Sequence, residues 1–369
     1  HLSKQYSVHL GSFIDDPNDW KYAENLKEWC AQTYLRKLNP GLAKMRSLKG
    51  LASGQPLTLP YYFDRGMKKW VSRVLNSEKI DHILVYSSSM AQYVNGSQFT
   101  NQTRIIDFVD VDSCKWSQYA HSKSWPLNWL YRREAEKLQQ FERDIISSFD
   151  KSLFVSLQEA ELSRKYVAVA SDSISYVENG VDHEYFNPDL TYEDPYSGNK
   201  NVIVFTGAMD YWANVDAVSW FANEIFPRVC ASVENAEFAI VGARPAREVK
   251  HLSSRPGVHV TGSVHDIRPY LAYACVAVAP MRIAQGVQNK ALEAMSMAKP
   301  VVATTAALDG IDITPNEGLA IVNESAKFAD EVIGFMKRGR NEIFTESRSM
   351  ICKRYDWDTN LNTLDCFFQ

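Results

Sequence analysis

Pro280-Met281-Arg282-Ile283-Ala284-Gln285-Gly286-Val287-Gln288-Asn289-Lys290-Ala291-Leu292-Glu293-Ala294-Met295, running on to Lys299-Pro300-Val301-Val302-Ala303, is the stretch that decides the fold. The apolar run Val276 to Ala279 predicts a strand stopping at Pro280, a polar loop follows, and a helix is expected to open near Gly286 and end before Pro300, where a second strand begins. That order of elements cradles an anion. The N–H groups of a helix's first turn lack intrahelical acceptors and its dipole is positive there, while Arg282 and Lys290 add full charges. Glu293 follows Lys290 by one turn on the same face, where a carboxylate accepts hydrogen bonds from sugar or ribose hydroxyls. The plainer reading of the same two residues is a solvated pair on an amphipathic helix, worth about 0.3 to 0.5 kcal/mol.

Outward from this stretch the chain alternates strand and helix patterns. Asn201 to Phe205 is a predicted buried strand whose end, Thr206-Gly207-Ala208-Met209-Asp210, lets the backbone approach a ligand closely at Gly207. Glu237 to Val241 and Val258 to Thr261 are further strands, followed by the turns Gly242-Ala243-Arg244-Pro245 and Gly262-Ser263-Val264-His265-Asp266-Ile267. In the first half, strands are expected at His82 to Tyr86, Thr103 to Val109 and Asp150 to Ser156, with helices over Trp20 to Leu35 and Trp129 to Ile146. The start, His1 to Tyr6, reads as the last turn of a helix, so the chain is expected to open inside a βαβ unit. Such alternation predicts an α/β protein with parallel sheets, whose ligands bind at the carboxyl ends of strands.

Two strand ends in the first half carry chemistry. Ser87-Ser88-Ser89 is expected to cap a helix or to meet a ligand. Asp107, Asp110 and Asp112 are candidates for orienting a hydroxyl or accepting its proton, with His121 a second candidate by proximity in sequence alone. Asp110-Val111-Asp112 also has the form of a divalent-metal motif, but three residues specify little. Trp125 to Trp129 carries rings that stack on sugars, lie at a lipid interface or fill a core.

Composition bounds the alternatives. With 369 residues and 45% hydrophobic content the chain exceeds what a single core usually fills, so two domains are expected. A formal charge of −4 from 40 basic and 44 acidic residues argues against a nucleic-acid partner. No apolar run reaches the roughly 18 residues of a transmembrane helix. The six cysteines stand far apart, without zinc or dithiol spacing, as in a cytoplasmic protein.

The 280–303 string resembles the conserved loop and helix of family 4 glycosyltransferases, which are retaining, metal-independent enzymes of the GT-B fold, built of two Rossmann-like doubly wound domains facing a cleft. Ser175-Tyr176-Val177-Glu178-Asn179-Gly180-Val181-Asp182, with Phe186 and Pro188, resembles a second marker of the same family. The resemblance is closest to bacterial transferases of exopolysaccharide and protein-sorting loci. It implies that Glu293 binds the donor's ribose, that Gly207, Gly242, Val264, Gln285 and Gly286 line the nucleotide-sugar site, and that Arg282 and Lys290 stabilise the leaving diphosphate. Gln285 replaces the first of the family's paired glutamates, and Val109 stands where many members carry a histidine before the aspartate. The implied domains are 1–190 on the acceptor side, 191–350 for the donor, and a C-terminal helix, 351–369, crossing back.

The implied function is sugar transfer from a nucleotide diphosphate sugar to a carbohydrate or lipid-linked acceptor, with no further cofactor. A GT-B nucleotide-sugar epimerase, which needs titratable residues flanking the sugar, stays open, as does a non-catalytic nucleotide-sugar binder, which Gln285 and Val109 in place of ionisable groups favour. Between Arg36 and Lys79, ten basic residues face only Asp64 and Glu78, with Leu51, Leu57, Leu59, Tyr61, Tyr62 and Phe63 among them. Basic residues near an anionic leaflet contribute about 1 kcal/mol each, so peripheral binding at the inner face of a membrane is expected beside an ordinary basic surface.

Overall fold

Apolar runs of the sequence form the strands of three parallel sheets. The computed structural model describes residues 1–96, 101–121, 123–167, 171–196, 201–283 and 287–368. The chain divides into two units, His1–Val177 with Leu361–Gln369, and Glu178–Asn360.

In the first unit β1 (His9–Ile14) pairs with β2 (Gln32–Lys37), and β3 (His82–Tyr86), β4 (Thr103–Val109), β5 (Lys151–Phe154) and β6 (Ile174–Tyr176) form a four-stranded sheet in that order. The helix expected over Trp20 to Leu35 is replaced by short helical turns, 17–22 and 26–29, and by β2. Its apolar spacing suits either period, and parallel pairing of six residues with β1 selects the strand. The core of this unit packs Met67, Trp70, Ile106, Phe108, Ile145 and Phe154. Ile105 and Leu153 meet Leu364 and Phe368 at the end of the chain.

The second unit holds β7 (Asn201–Thr206), β8 (Ala236–Val241), β9 (Val258–Gly262), β10 (Val276–Ala279), β11 (Val301–Ala303) and β12 (Leu319–Ile321), in the spatial order β12-β11-β10-β7-β8-β9. This is the doubly wound dinucleotide-fold order, and its direction reverses between β7 and β10. Successive residues Val202 to Phe205 and Val276 to Ala279 are buried, as strands covered on both faces must be. The Phe221 ring centre lies 4.5 Å from that of Phe238, tilted by 44°, and 6.1 Å from that of Phe328, which packs helices against the sheet.

The unit boundaries differ from those expected at 190/191 and 350/351. Val181 and Phe186 are buried in the second core, the Val181 N–H donates to the Tyr355 carbonyl at 2.7 Å, and Ser296 Oγ donates to the Phe186 carbonyl. Ile351 and Tyr355 belong to that core too, so only the last turns of the helix Trp357–Asp365 fall in the first unit. The helix after β10 begins at Asn289, because Gln288 is still extended at ψ 91.

The loops after β7 and β8 interlock through backbone. The Gly207 N–H donates to the Val241 carbonyl at 3.1 Å and the Met209 N–H to the Ala243 carbonyl at 2.9 Å. A Cβ added at Gly242 would lie 1.7 Å from the Gly207 carbonyl oxygen, whereas one at Gly207 would meet the Asn214 amide nitrogen at 2.9 Å. Gly242→Ala is therefore expected to destabilise the chain by about 2 kcal/mol or more, since backbone must move, and Gly207→Ala by less, since a side chain can yield. Urea unfolding of the two variants checks the order.

Candidate functional site

β7 and β10 are neighbours whose following loops diverge, which opens a crevice at their carboxyl ends. Lys290 reaches it from the first turn of the helix Asn289–Ser296, whose buried face of Ala291, Leu292, Ala294 and Met295 fixes the helix to the core. Its ammonium donates to Asn214 Oδ1 at 3.2 Å and Gln288 Oε1 at 2.9 Å, and lies 5.2 Å from the centre of the Phe205 ring. Asn214 is buried in the helix after β7, and its amide nitrogen donates to the Ala208 carbonyl, which orients the oxygen toward Lys290. These partners are neutral, so burial pulls the Lys290 pKa down to about 8, with Glu293 opposing the shift. Glu293, one turn on, is pushed up by the same burial, and its carboxylate makes no hydrogen bond among the described residues.

Arg282 follows β10 but is engaged elsewhere. Its Nε donates to Asp216 Oδ2 at 3.0 Å, a second bond from Nη2 to Oδ1 completes the fork, and the guanidinium lies 5.7 Å from the Trp220 ring. In this state its charge is matched by a carboxylate. Gly207 and Gly242 are brought together, as the interlocked loops require, and Val264 packs against the same core beyond β9. Gln285 and Gly286 lie outside the described residues. Asn214 and Asp216 carry no role in the sequence reading. The signal available for Asn214 was a polar residue inside the apolar run Trp212 to Trp220.

The first unit gathers the aspartates at the end of β4. Its pairing with β5 shifts register between Asp107 and Val109, and Val109 adopts φ 68, a conformation that strains a β-branched residue by about 1 to 3 kcal/mol. The Val109 N–H donates to Asp107 Oδ1 at 2.9 Å. Lys115 Nζ lies 2.6 Å from Asp110 Oδ2 and 3.7 Å from Asp112 Oδ1, so an ammonium stands where the Asp-Val-Asp motif suggested a divalent ion. Among the described residues no three His, Cys, Asp or Glu side chains form a metal-holding group. Ser87 makes no side-chain cap, contrary to expectation, and Ser88 Oγ instead donates to Asp112 Oδ2 at 2.9 Å. Burial raises the pKa values of Asp107 and Asp112. The loop is braced from below, where Glu159 accepts from the Val111 N–H and Glu142 from the Ser113 N–H, both at 3.0 Å.

With this geometry in view, the comparisons with known proteins agree. Residues 200–338 match the family described as "Glycosyl transferases group 1". An uncharacterized 44.6 kDa protein in the cps region of Klebsiella pneumoniae is 26% identical over 291 residues, 76% of this chain and 72% of that one. The fold is similar to sucrose-phosphate synthase from Thermosynechococcus elongatus, with a TM-score of 0.68 and 13% identity over 98% of each chain. It is similar to a glycosyltransferase from Rickettsia africae at 0.66 and 15%, over 98% of this chain and 97% of that one. For Anabaena HepE in complex with UDP the values are 0.65 and 13%, over 99% and 93%. The fold is that of the GT-B glycosyltransferases, and the matched segment supports a sugar transferase.

The depressed Lys290 pKa predicts pH dependence for any anion that binds there. The ammonium is full well below about 8 and lost as pH rises through it, and a bound diphosphate would restore the proton. Uridine diphosphate affinity is expected to fall above pH 8 with uptake of up to one proton per nucleotide, and Lys290→Arg, which stays charged, to flatten the profile. Calorimetry in buffers of different ionisation enthalpy measures both.

Proposed function

We propose that this protein is a retaining, metal-independent glycosyltransferase of family 4 that moves a hexose-type sugar from a nucleotide diphosphate to an acceptor hydroxyl, in exopolysaccharide or glycolipid synthesis. The observation that carries the proposal is the Lys290 ammonium, held among neutral dipoles at the β7/β10 reversal, with the Glu293 carboxylate, which makes no hydrogen bond to the described residues, one turn away. A doubly charged diphosphate supplies the anion that this arrangement lacks, and ribose hydroxyls supply donors for Glu293. Anabaena HepE, solved with UDP and with UDP-glucose, supports such a ligand, and the Klebsiella cps-region relative supports an exopolysaccharide setting.

In the reaction the acceptor oxygen bonds to the anomeric carbon as the bond from that carbon to the phosphate oxygen breaks. The acceptor proton passes to the leaving phosphate on the same face, which retains configuration. Lys290 and the helix N-terminus stabilise the charge growing on the diphosphate, and Arg282 joins them by exchanging Asp216 for a phosphate oxygen. Within the first unit, Asp107 is the proposed contact for the acceptor hydroxyl, while Asp110 is engaged by Lys115. No nucleophilic side chain is required.

Transfer from a panel of uridine, guanosine and adenosine diphosphate sugars is expected to persist in EDTA and to fall about 100-fold or more in Lys290→Met. Loss of activity in EDTA, restored by manganese, would instead assign a metal to Asp110 and Asp112. Turnover of the donor without acceptor would mark an epimerase, and nucleotide-sugar binding without turnover a binding protein. Asp216→Asn is expected to tighten nucleotide binding by releasing Arg282. Unchanged affinity in both Asp216→Asn and Arg282→Ala would remove Arg282 from the mechanism.

A further inference from the structure

The helix Pro40–Ser47 and the residue after it carry Leu42, Met45 and Leu48 at a spacing of three, 61%, 70% and 59% exposed. Residues three apart share a helix face, so these side chains form one apolar ridge directed at solvent. The helix is fixed to the protein by buried Ala43 and by Arg46, whose guanidinium donates to the Tyr61 carbonyl at 2.9 Å. A second group stands at the start of the long helix Leu127–Ser148, where Trp125, Leu127 and Trp129 are 80%, 45% and 57% exposed. Arg133, one turn after Trp129 on the same face, donates to the Gly50 carbonyl at 2.7 Å and to that of Gln55 at 3.2 Å. Glu134 accepts from the N–H groups of Leu57 and Thr58 and from the Thr58 hydroxyl. These bonds tie the start of the long helix to residues 50–58, the segment that follows the ridge in the chain, within the first unit.

Exposed apolar groups gathered in this way mark an interaction surface. Lys44 and Lys49 flank the ridge, and Lys123 and Arg132 flank the tryptophans, all exposed. Of the two acidic residues in the 36–79 stretch, Asp64 is already paired with Arg36 at 3.3 Å. We infer that this face docks on an anionic lipid leaflet, with the six apolar side chains inserted at the headgroup level and the basic residues against lipid phosphates. Charge complementarity favours a leaflet, and tryptophan sits well where apolar and wet surroundings meet. The inserting residues differ from those expected from the sequence. Leu59 is buried and Leu57, Tyr61, Tyr62 and Phe63 are half-buried, which leaves only Leu51 of that set on the surface.

Vesicle flotation of the full chain tests this independently of sugar transfer. The protein is expected to float with phosphatidylglycerol-containing vesicles and not with pure phosphatidylcholine, and to be partly released by high salt. The variants Leu42→Ser/Met45→Ser/Leu48→Ser and Trp125→Ser/Trp129→Ser should each lose at least tenfold in partitioning, while calorimetry shows uridine diphosphate affinity unchanged. Wild type remaining with the unbound fraction on anionic vesicles at low salt overturns the inference, as does equal flotation of wild type and both variants. A self-association removed by the same substitutions, without lipid binding, would assign the face to a second copy and overturn it too. Failure of nucleotide binding in the wild type, with flotation intact, would sink the transferase proposal alone.

Discussion

The parallel pairing of β7 with β10 is the constraint on which the candidate site depends. Each strand hands its chain to a helix on a different side, so the loops beyond them part, and the sheet itself creates the crevice. Burial of Val202 to Phe205 and Val276 to Ala279 holds the two strands in place, and everything polar at the site is mounted on their ends. Gly242 sits against the Gly207 carbonyl because β8 follows the same edge, and that backbone contact excludes any side chain.

Charge is treated differently in the two units. In the first, Glu134, Glu142 and Glu159 are buried, but each accepts backbone N–H bonds at the start of a neighbouring helix, where an anion is favoured by the helix dipole. Glu142 nevertheless has its pKa raised to about 8 by burial, and burial, with Glu142 and Glu159 adding to it, pushes the Cys114 thiol up to about 12. In the second unit Lys290 has dipoles rather than a hydrogen-bonded carboxylate for partners, and Glu293 accepts no hydrogen bond from the described residues. The first arrangement is complete by itself. In the second, burial is not offset in this way among the described residues, which is the physical ground for the proposed substrate site.

The strain at Val109 belongs to the same contrast. A β-branched residue at φ 68, next to a register shift, is stable only because Asp107 Oδ1 and the Val155 N–H hold its backbone. That geometry sets Asp110 against Lys115, whose ammonium matches the charge of this carboxylate.

Much of the fold is written locally. The runs His82–Tyr86, Thr103–Val109 and Glu237–Val241 are strands because their apolar, β-branched residues suit a covered sheet, and Pro280, Gly207 and Pro300 mark where the chain turns. Lys290 and Glu293 are likewise legible, since their spacing alone puts them on one helix face. What the sequence leaves open depends on partners distant in the chain. Gln32–Lys37 becomes a strand only because β1 lies beside it, and 178–190 joins the second unit because Val181 and Phe186 find their core there. Arg282 is matched by Asp216 and Lys290 by Asn214, contacts that no local pattern encodes. Exposure follows the same rule: periodicity marks Leu42 and Leu59 alike as apolar, and only tertiary packing buries one and leaves the other in water.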